Sequence, residues 1–173
     1  MCGIAGFTRF HQPTGDIETL RSMGNAIIHR GPDAGGEYLD EQVGLCHRRL
    51  AIIDLSSAGN QPMVSKCGNY VVVFNGEIYN FQSLRQSMVK EGIQFSTETD
   101  TEVLLALYQQ IGEEVVSRIN GMFAFAIWDK KESTLFLARD RLGKKPLYFF
   151  QDNEYFVFGS ELKALQQVSA TPK

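Results

Sequence analysis

Seven apolar residues stand in an unbroken row in the second half of the chain, Met122-Phe123-Ala124-Phe125-Ala126-Ile127-Trp128. A half-exposed strand alternates apolar and polar side chains, whereas a continuous run of this length reads as a strand covered on both faces. Helices on one side and another sheet on the other would supply the cover. The neighbouring segments agree with that reading. Residues 122–129, 134–140, 147–150 and 155–158 are short, rich in Phe, Tyr and Leu, and separated by short turns, the pattern of a run of antiparallel strands.

The first two thirds mix the two periodicities. Residues 3–10 read as a strand that ends at the turn 11–15, and Asp16 is placed to cap a helix in which Ile17, Leu20, Gly24, Ile27 and Ile28 recur at helical spacing. That helix should stop before the breaker-rich run 30–36. Strands are expected at 36–39 and 43–54, and a third at 70–74 ending on Asn75-Gly76. Amphipathic helices fit 80–90 and 101–111, with a short extra turn at 113–118.

Composition narrows the function classes. A chain of 173 residues fits one domain and can bury roughly two-thirds of its unfolded surface. With 21% charged residues and a net charge of -3 it has neither a basic footprint for nucleic acid nor an acidic tail. The three cysteines, Cys2, Cys46 and Cys67, leave one unpaired under any disulfide scheme, and no apolar run approaches membrane-spanning length. The expectation is a cytoplasmic protein with no nucleic-acid or membrane partner.

Chemistry begins at the amino terminus. If Met1 is removed, Cys2 carries a thiol nucleophile beside a free α-amine, which titrates near pH ~8 and can take the thiol proton. The alternative is a small residue that starts a buried strand. A thiolate attacking a carbonyl needs donors where negative charge develops, and Asn75-Gly76 offers a side-chain amide and a backbone N–H. The same dipeptide is a common hairpin turn, here at a strand-to-helix edge. Arg49 could grip a carboxylate bidentately or form a structural ion pair with Asp33 or Asp54. Asp100 could hold an ammonium group or serve only to start a helix. Cysteine and histidine spacings do not suit zinc, and Gly143-Lys144-Lys145 reads as a solvated turn, not a phosphate loop.

In this order the segments resemble the glutaminase domain of class II glutamine amidotransferases, and most closely the amino-terminal half of glutamine-hydrolysing asparagine synthetases. The strings that carry the resemblance are Met1-Cys2-Gly3-Ile4-Ala5-Gly6, His29-Arg30-Gly31-Pro32-Asp33, Arg49-Leu50-Ala51-Ile52-Ile53-Asp54 and Gln61-Pro62-Met63. They continue with Asn75-Gly76-Glu77-Ile78-Tyr79-Asn80, Asp100-Thr101-Glu102-Val103-Leu104, Gly121-Met122-Phe123-Ala124-Phe125-Ala126 and Ser160-Glu161-Leu162-Lys163-Ala164-Leu165.

The resemblance implies an α+β, four-layer αββα sandwich of the amino-terminal-nucleophile (Ntn) hydrolase type, two antiparallel sheets flanked by helices. It implies that Cys2 attacks the side-chain amide of L-glutamine, that Asn75 and Gly76 hold the oxyanion, and that Arg49 binds the substrate carboxylate. Asp100 and Glu77 would meet its ammonium group, and Leu50 and Ile52 lie on the motif that lines the pocket. For residues 30–33 only a structural role is expected. Ammonia would pass to an acceptor, aspartate by the closest resemblance, or a sugar or other acid in other relatives. A non-catalytic glutamine sensor and a peptide-cleaving hydrolase of the same fold are the rival readings. No cofactor is expected in this domain. ATP and magnesium are expected only in a synthetase domain, whose Ser-Gly-Gly-x-Asp-Ser phosphate loop does not occur in residues 1–173. The chain is therefore expected to be a fragment of a longer protein, or a glutaminase serving a separate partner. A homodimer is left open.

Overall fold

A computed structural model describes residues 1–10, 16–51, 56–169 and 171. Among them the chain forms two antiparallel sheets. The first has the order β2-β3-β1-β9-β8, built from β1 (Gly3–Arg9), β2 (Ala34–Leu39), β3 (Val43–Arg49), β8 (Tyr148–Gln151) and β9 (Tyr155–Gly159). The second has the order β4-β5-β6-β7, built from β4 (Met63–Val64), β5 (Tyr70–Ile78), β6 (Gly121–Asp129) and β7 (Thr134–Arg139). Helices α1 (Ile17–Ala26) and α5 (Leu162–Leu165) belong to the first sheet, and α2 (Phe81–Lys90), α3 (Asp100–Ile111) and α4 (Val115–Arg118) to the second.

Three apolar layers show why these elements stack. Successive strand side chains point to opposite faces, so a strand between two layers contributes to both. Ala5, Phe7 and Cys46 face α1, where Leu20, Met23 and Ile27 meet them. Ile4, Val43 and Leu45 face the other sheet and pack on Val71, Val73, Ala124 and Ala126. Val72, Phe74, Phe125 and Ile127 face outward again, against Val103, Leu104 and Leu107 of α3. The order of layers is helix, sheet, sheet, helix, and β6 is covered on both faces as its unbroken apolar run requires.

Local signals set the helix starts. Asp16 accepts a hydrogen bond from Thr19 N at 2.8 Å, and Thr99 accepts one from Glu102 N at 3.2 Å. The Glu102 carboxylate reaches back to Ser96 N and Thr97 N, which secures the entry to α3. Gly112, at φ +58°, ends α3 in a conformation that a side chain would resist.

Four expectations change. β5 does not stop at Phe74 but runs through Asn75-Gly76 to Ile78, because β6 pairs with it as far as Ile78↔Gly121. Asn75-Gly76 is thus strand interior, and no turn forms there. β3 ends at Arg49, opposite the first residues of its antiparallel partners β1 and β2, so Leu50 and Ala51 leave the sheet. The segment at Gly143 to Lys145 is not solvated throughout: Asp140 accepts hydrogen bonds from Leu142, Lys144 and Lys145 N, folding the turn inward and burying Lys145. β2 begins two residues earlier than expected, at Ala34, in register with Arg49. The expected turn 11–15 and the end of the expected strand at 52–54 lie outside the described residues.

Phe125 is fully buried between the second sheet and α3. Phe125→Ala should lower unfolding free energy by about 3–5 kcal/mol, the usual cost of emptying a buried aromatic site, measured as a shift in the urea midpoint at unchanged slope.

Candidate active site

The inter-sheet layer turns polar at one end, on three strands at once. On β1 the same-face position before Ile4 is Cys2; on β3, Val43 and Leu45 are followed by His47 and Arg49; on β5, Val71 and Val73 are followed by Asn75. A cavity of about 100 Å³ opens there. It is lined by Cys2, Arg49, Leu50, Asn75, Gly76, Glu77 and Asp100, every sequence-predicted site residue that the structure describes. Ile52 lies outside the described residues. Two larger clefts, of about 520 and 530 Å³, lie against α3 and near β7, and neither is lined by any of these residues.

The nucleophile candidate is held on both sides. Leu50 N donates toward Cys2 Sγ at 3.4 Å, and Sγ lies 3.6 Å from Leu50 O. Arg30 Nε donates to the Cys2 carbonyl at 3.0 Å, while Arg30 Nη1 pairs with Glu161 at 3.0 Å. Glu161 also meets His29 at 3.0 Å and Lys163 at 3.1 Å. Burial raises the Glu161 pKa, but hydrogen bonds from Arg30, Lys163 and His29 outweigh it and hold the carboxyl at about 2. Ser160, fully buried, exchanges hydrogen bonds with Ile4: Ile4 N donates to Ser160 Oγ at 3.0 Å and Ser160 N to Ile4 O at 2.8 Å. The sequence reading assigned no role to Ser160, Glu161 or Gln61 and only a structural one to residues 30–33. Their partners are far away in the chain, so no spacing announces them.

Asn75 is 1% exposed, and its Nδ2 is buried with no hydrogen-bond partner among the described residues. Gly76 sits against β6, where an added Cβ would come within 2.4 Å of Met122 O and 2.8 Å of Phe123 Cα. The strand pairing itself therefore demands glycine, beyond any need for a ligand to approach.

The two adjacent arginines part as strand geometry requires. Arg48 turns outward and donates to Gly24 O and Asn25 Oδ1 of α1. Arg49 turns into the sandwich, where Nη1 donates to Ser56 O at 2.7 Å and Asn60 Oδ1 at 2.8 Å. Asp33, one proposed structural partner for Arg49, instead accepts from Ala51 N at 2.9 Å. Across the cavity, Asp100 accepts from Ile78 N at 3.0 Å and is 5% exposed. Burial lifts its pKa to about 6, opposed by backbone N–H groups of Ile78 and Thr101 and reinforced by the nearby Glu77 charge. Lys145 lines the same cavity, its Nζ 3.2 Å from the Met1 sulfur.

The arrangement offers a thiol, an unpaired amide donor, a guanidinium and two carboxylates around one small space. That set suits nucleophilic attack on a substrate bearing both a carboxylate and an ammonium group.

Comparison with known proteins points the same way. The glutamine amidotransferase domain family matches residues 1–173. Asparagine synthetase [glutamine-hydrolyzing] 1 of Bacillus subtilis is 45% identical over 168 residues, 95% of this chain and 26% of the relative. Asparagine synthetase B [glutamine-hydrolyzing] of Escherichia coli is 39% identical over 177 residues, 100% of this chain and 31% of the relative. The chain thus spans about a quarter to a third of the length of these curated relatives. Among solved structures, glutamine phosphoribosylpyrophosphate amidotransferase from B. subtilis, complexed with ADP and GMP, superposes at TM-score 0.82 with 22% identity, covering 98% of this chain and 44% of that one. That likeness shows the Ntn-hydrolase fold. With the whole of its length matched and its candidate site residues gathered at one cavity, the chain belongs to the glutamine amidotransferase domain family.

Proposed function

We propose that this domain hydrolyses the side-chain amide of L-glutamine through a Cys2 thioester. The observation that carries the reading is Asn75 Nδ2, a buried donor with no partner among the described residues, lining the same cavity as Cys2. A buried amide left unpaired costs about 1–3 kcal/mol, and an oxyanion arriving in the transition state would repay it.

The chemistry runs as follows. Removal of Met1 frees the α-amine of Cys2, which takes the thiol proton as sulfur bonds to the amide carbon. Negative charge moves to the carbonyl oxygen, held by Asn75 Nδ2 and the Gly76 N–H. The intermediate collapses with proton transfer from the ammonium to the departing nitrogen, which leaves as ammonia. Water then attacks the thioester, the amine again taking a proton, and glutamate departs as the Cys2 sulfur is released. Arg49 receives the substrate carboxylate, and Asp100 with Glu77 its ammonium group. Leu50 and Ile52 bound the pocket.

The names of the relatives, glutamine-hydrolysing asparagine synthetases, support aspartate as acceptor; we infer that it is activated with ATP and magnesium in a synthetase domain joined to this one or separate from it. The cysteines are free, and among the described residues no helix is long and apolar enough to cross a membrane. The free cysteines support placement in a reducing compartment, the cytoplasm.

Cys2→Ala should abolish glutamate release while leaving glutamine binding, measured calorimetrically, within about threefold of the unsubstituted chain. Asn75→Ala should lower kcat by about 10²–10³ with little change in KM, the signature of a donor used in the transition state. A chain that binds glutamine and yields no glutamate after removal of Met1 would instead be a sensor.

Asp100 gives a pH signature. Its carboxyl is neutral below about 6 in the free protein, and only the ionised form pairs with an ammonium group. Glutamine affinity in Cys2→Ala should therefore be steady above that pH and weaken as pH falls through it, approaching about tenfold per unit. Asp100→Asn should bind weakly throughout and lose that dependence.

A further inference from the structure

The backbone hydrogen-bonding groups of a strand alternate between its two edges. On β5, Tyr70, Phe74 and Ile78 point theirs away from β6: Tyr70 O accepts from Ser65 N, Phe74 N donates to Gln61 Oε1, and Ile78 N donates to Asp100 Oδ2. Gly76 falls in the same alternation, so its N–H faces the cavity that it lines. β4 pairs only with Val71 and Val72. From Phe74 onward this edge has no strand beside it among the described residues.

Two buried side chains occupy that place at Phe74. Gln61 accepts from Phe74 N at 2.6 Å and donates from Nε2 to Thr101 Oγ1 at 3.2 Å, which ties β5 to the first turn of α3 beside Asp100. His47 reaches across from β3, and its Nε2–H donates to Phe74 O at 3.2 Å. That carbonyl belongs to the peptide whose nitrogen is Asn75's own. The tautomer follows from the partner: a carbonyl only accepts, so Nε2 carries the proton and Nδ1 is bare. Nδ1 is buried with no partner among the described residues, and burial keeps the ring neutral, its pKa pushed down to about 3. Packing alone would be served as well by leucine. A histidine at 1% exposure with an unpaired nitrogen marks the Nε2 contact as the reason for the residue.

We propose that Gln61 and His47 are positioning residues for the oxyanion-stabilising pair: together they replace the missing strand neighbour, hold Phe74 at both its N–H and its C=O, and so fix the Asn75 amide and the Gly76 N–H for the transition state. The inference rests on the reading of Cys2, Asn75 and Gly76 given above. Donors aimed at a developing charge must be held to a fraction of an ångström, and an edge strand with no neighbour lacks the ladder that would do so.

The experiment uses the chain freed of Met1 and compares Gln61→Leu, His47→Gln and His47→Asn. Gln places an amide nitrogen near the original Nε2, whereas Asn is too short to reach Phe74 O, and both are polar and smaller than the ring. Expected are a kcat for glutamine hydrolysis about tenfold or more lower in Gln61→Leu and His47→Asn, with KM within about twofold, and His47→Gln within about threefold of the parent. Affinity for glutamate γ-semialdehyde, whose adduct with Cys2 carries the tetrahedral oxygen, should fall in parallel with kcat. In an Asn75→Ala background the same substitutions should cost clearly less than in the parent, because one of the two donors they position is gone. Equal kcat in the two His47 variants, or losses undiminished in the Asn75→Ala background, would overturn the proposal. If Gln61→Leu does not fold, the His47 pair decides alone. Absence of glutamate from the parent chain itself would remove the reading of the site, and this proposal with it.

Discussion

The reciprocal hydrogen bonds between Ile4 and Ser160 fix where the chain enters its first sheet. β1 is the middle strand of that sheet, paired with β3 on one side and β9 on the other. A middle strand cannot slip without turning its apolar residues from one layer to the other, so its register is held by both layers at once. Cys2 is therefore delivered to one end of the inter-sheet layer as a consequence of packing around Ile4 and Ala5. The Arg30–Glu161 pair adds a second restraint by holding the Cys2 carbonyl. Ser160 and Glu161, which anchor the two restraints, both lie in the short segment after β9, so that segment ties the last strand to the beginning of the chain.

Polarity at that end of the sandwich has a cost, and the fold distributes it unevenly. Arg49 and Lys145 are buried cations and Asp100 is a buried acid. Asp100 answers burial with a pKa raised to about 6. Arg49 is met by oxygens of Ser56 and Asn60. Asn75 Nδ2 is met by nothing among the described residues. An interior that satisfies a guanidinium at short distance yet leaves an amide donor bare, in the cavity that the Cys2 thiol also lines, fits the oxyanion role proposed for Asn75.

The same arrangement separates what the scaffold shares from what the site adds. A structure at 22% identity superposes at TM-score 0.82, so the four layers tolerate wide replacement of residues as long as the alternation of faces is kept. Relatives at 39–45% identity are glutamine-hydrolysing asparagine synthetases by name.

Much of the fold was legible along the chain because its causes are local. The unbroken run in β6 requires cover on both faces, Asp16 and Thr99 cap the helices that follow them, and adjacent Arg48 and Arg49 must face opposite ways on a strand. Cys2, Asn75, Gly76, Arg49 and Asp100 could be named from residue chemistry and from their strings. Tertiary structure decided the rest. Asn75-Gly76 reads locally as a turn, and it is strand because β6 lies beside it and supplies hydrogen bonds that a turn would forgo. Lys145 reads as a surface lysine, and it is buried because Asp140 collects the N–H groups of its turn. Gln61 and His47 carry no local signal at all, since the groups they hold lie 13 and 27 residues away and are backbone atoms, whose identity no side-chain pattern records. Sequence specifies which face each residue takes and which chemistry it carries; only the packing of two sheets determines which of those groups meet, because that distance is set by strands remote from one another in the chain.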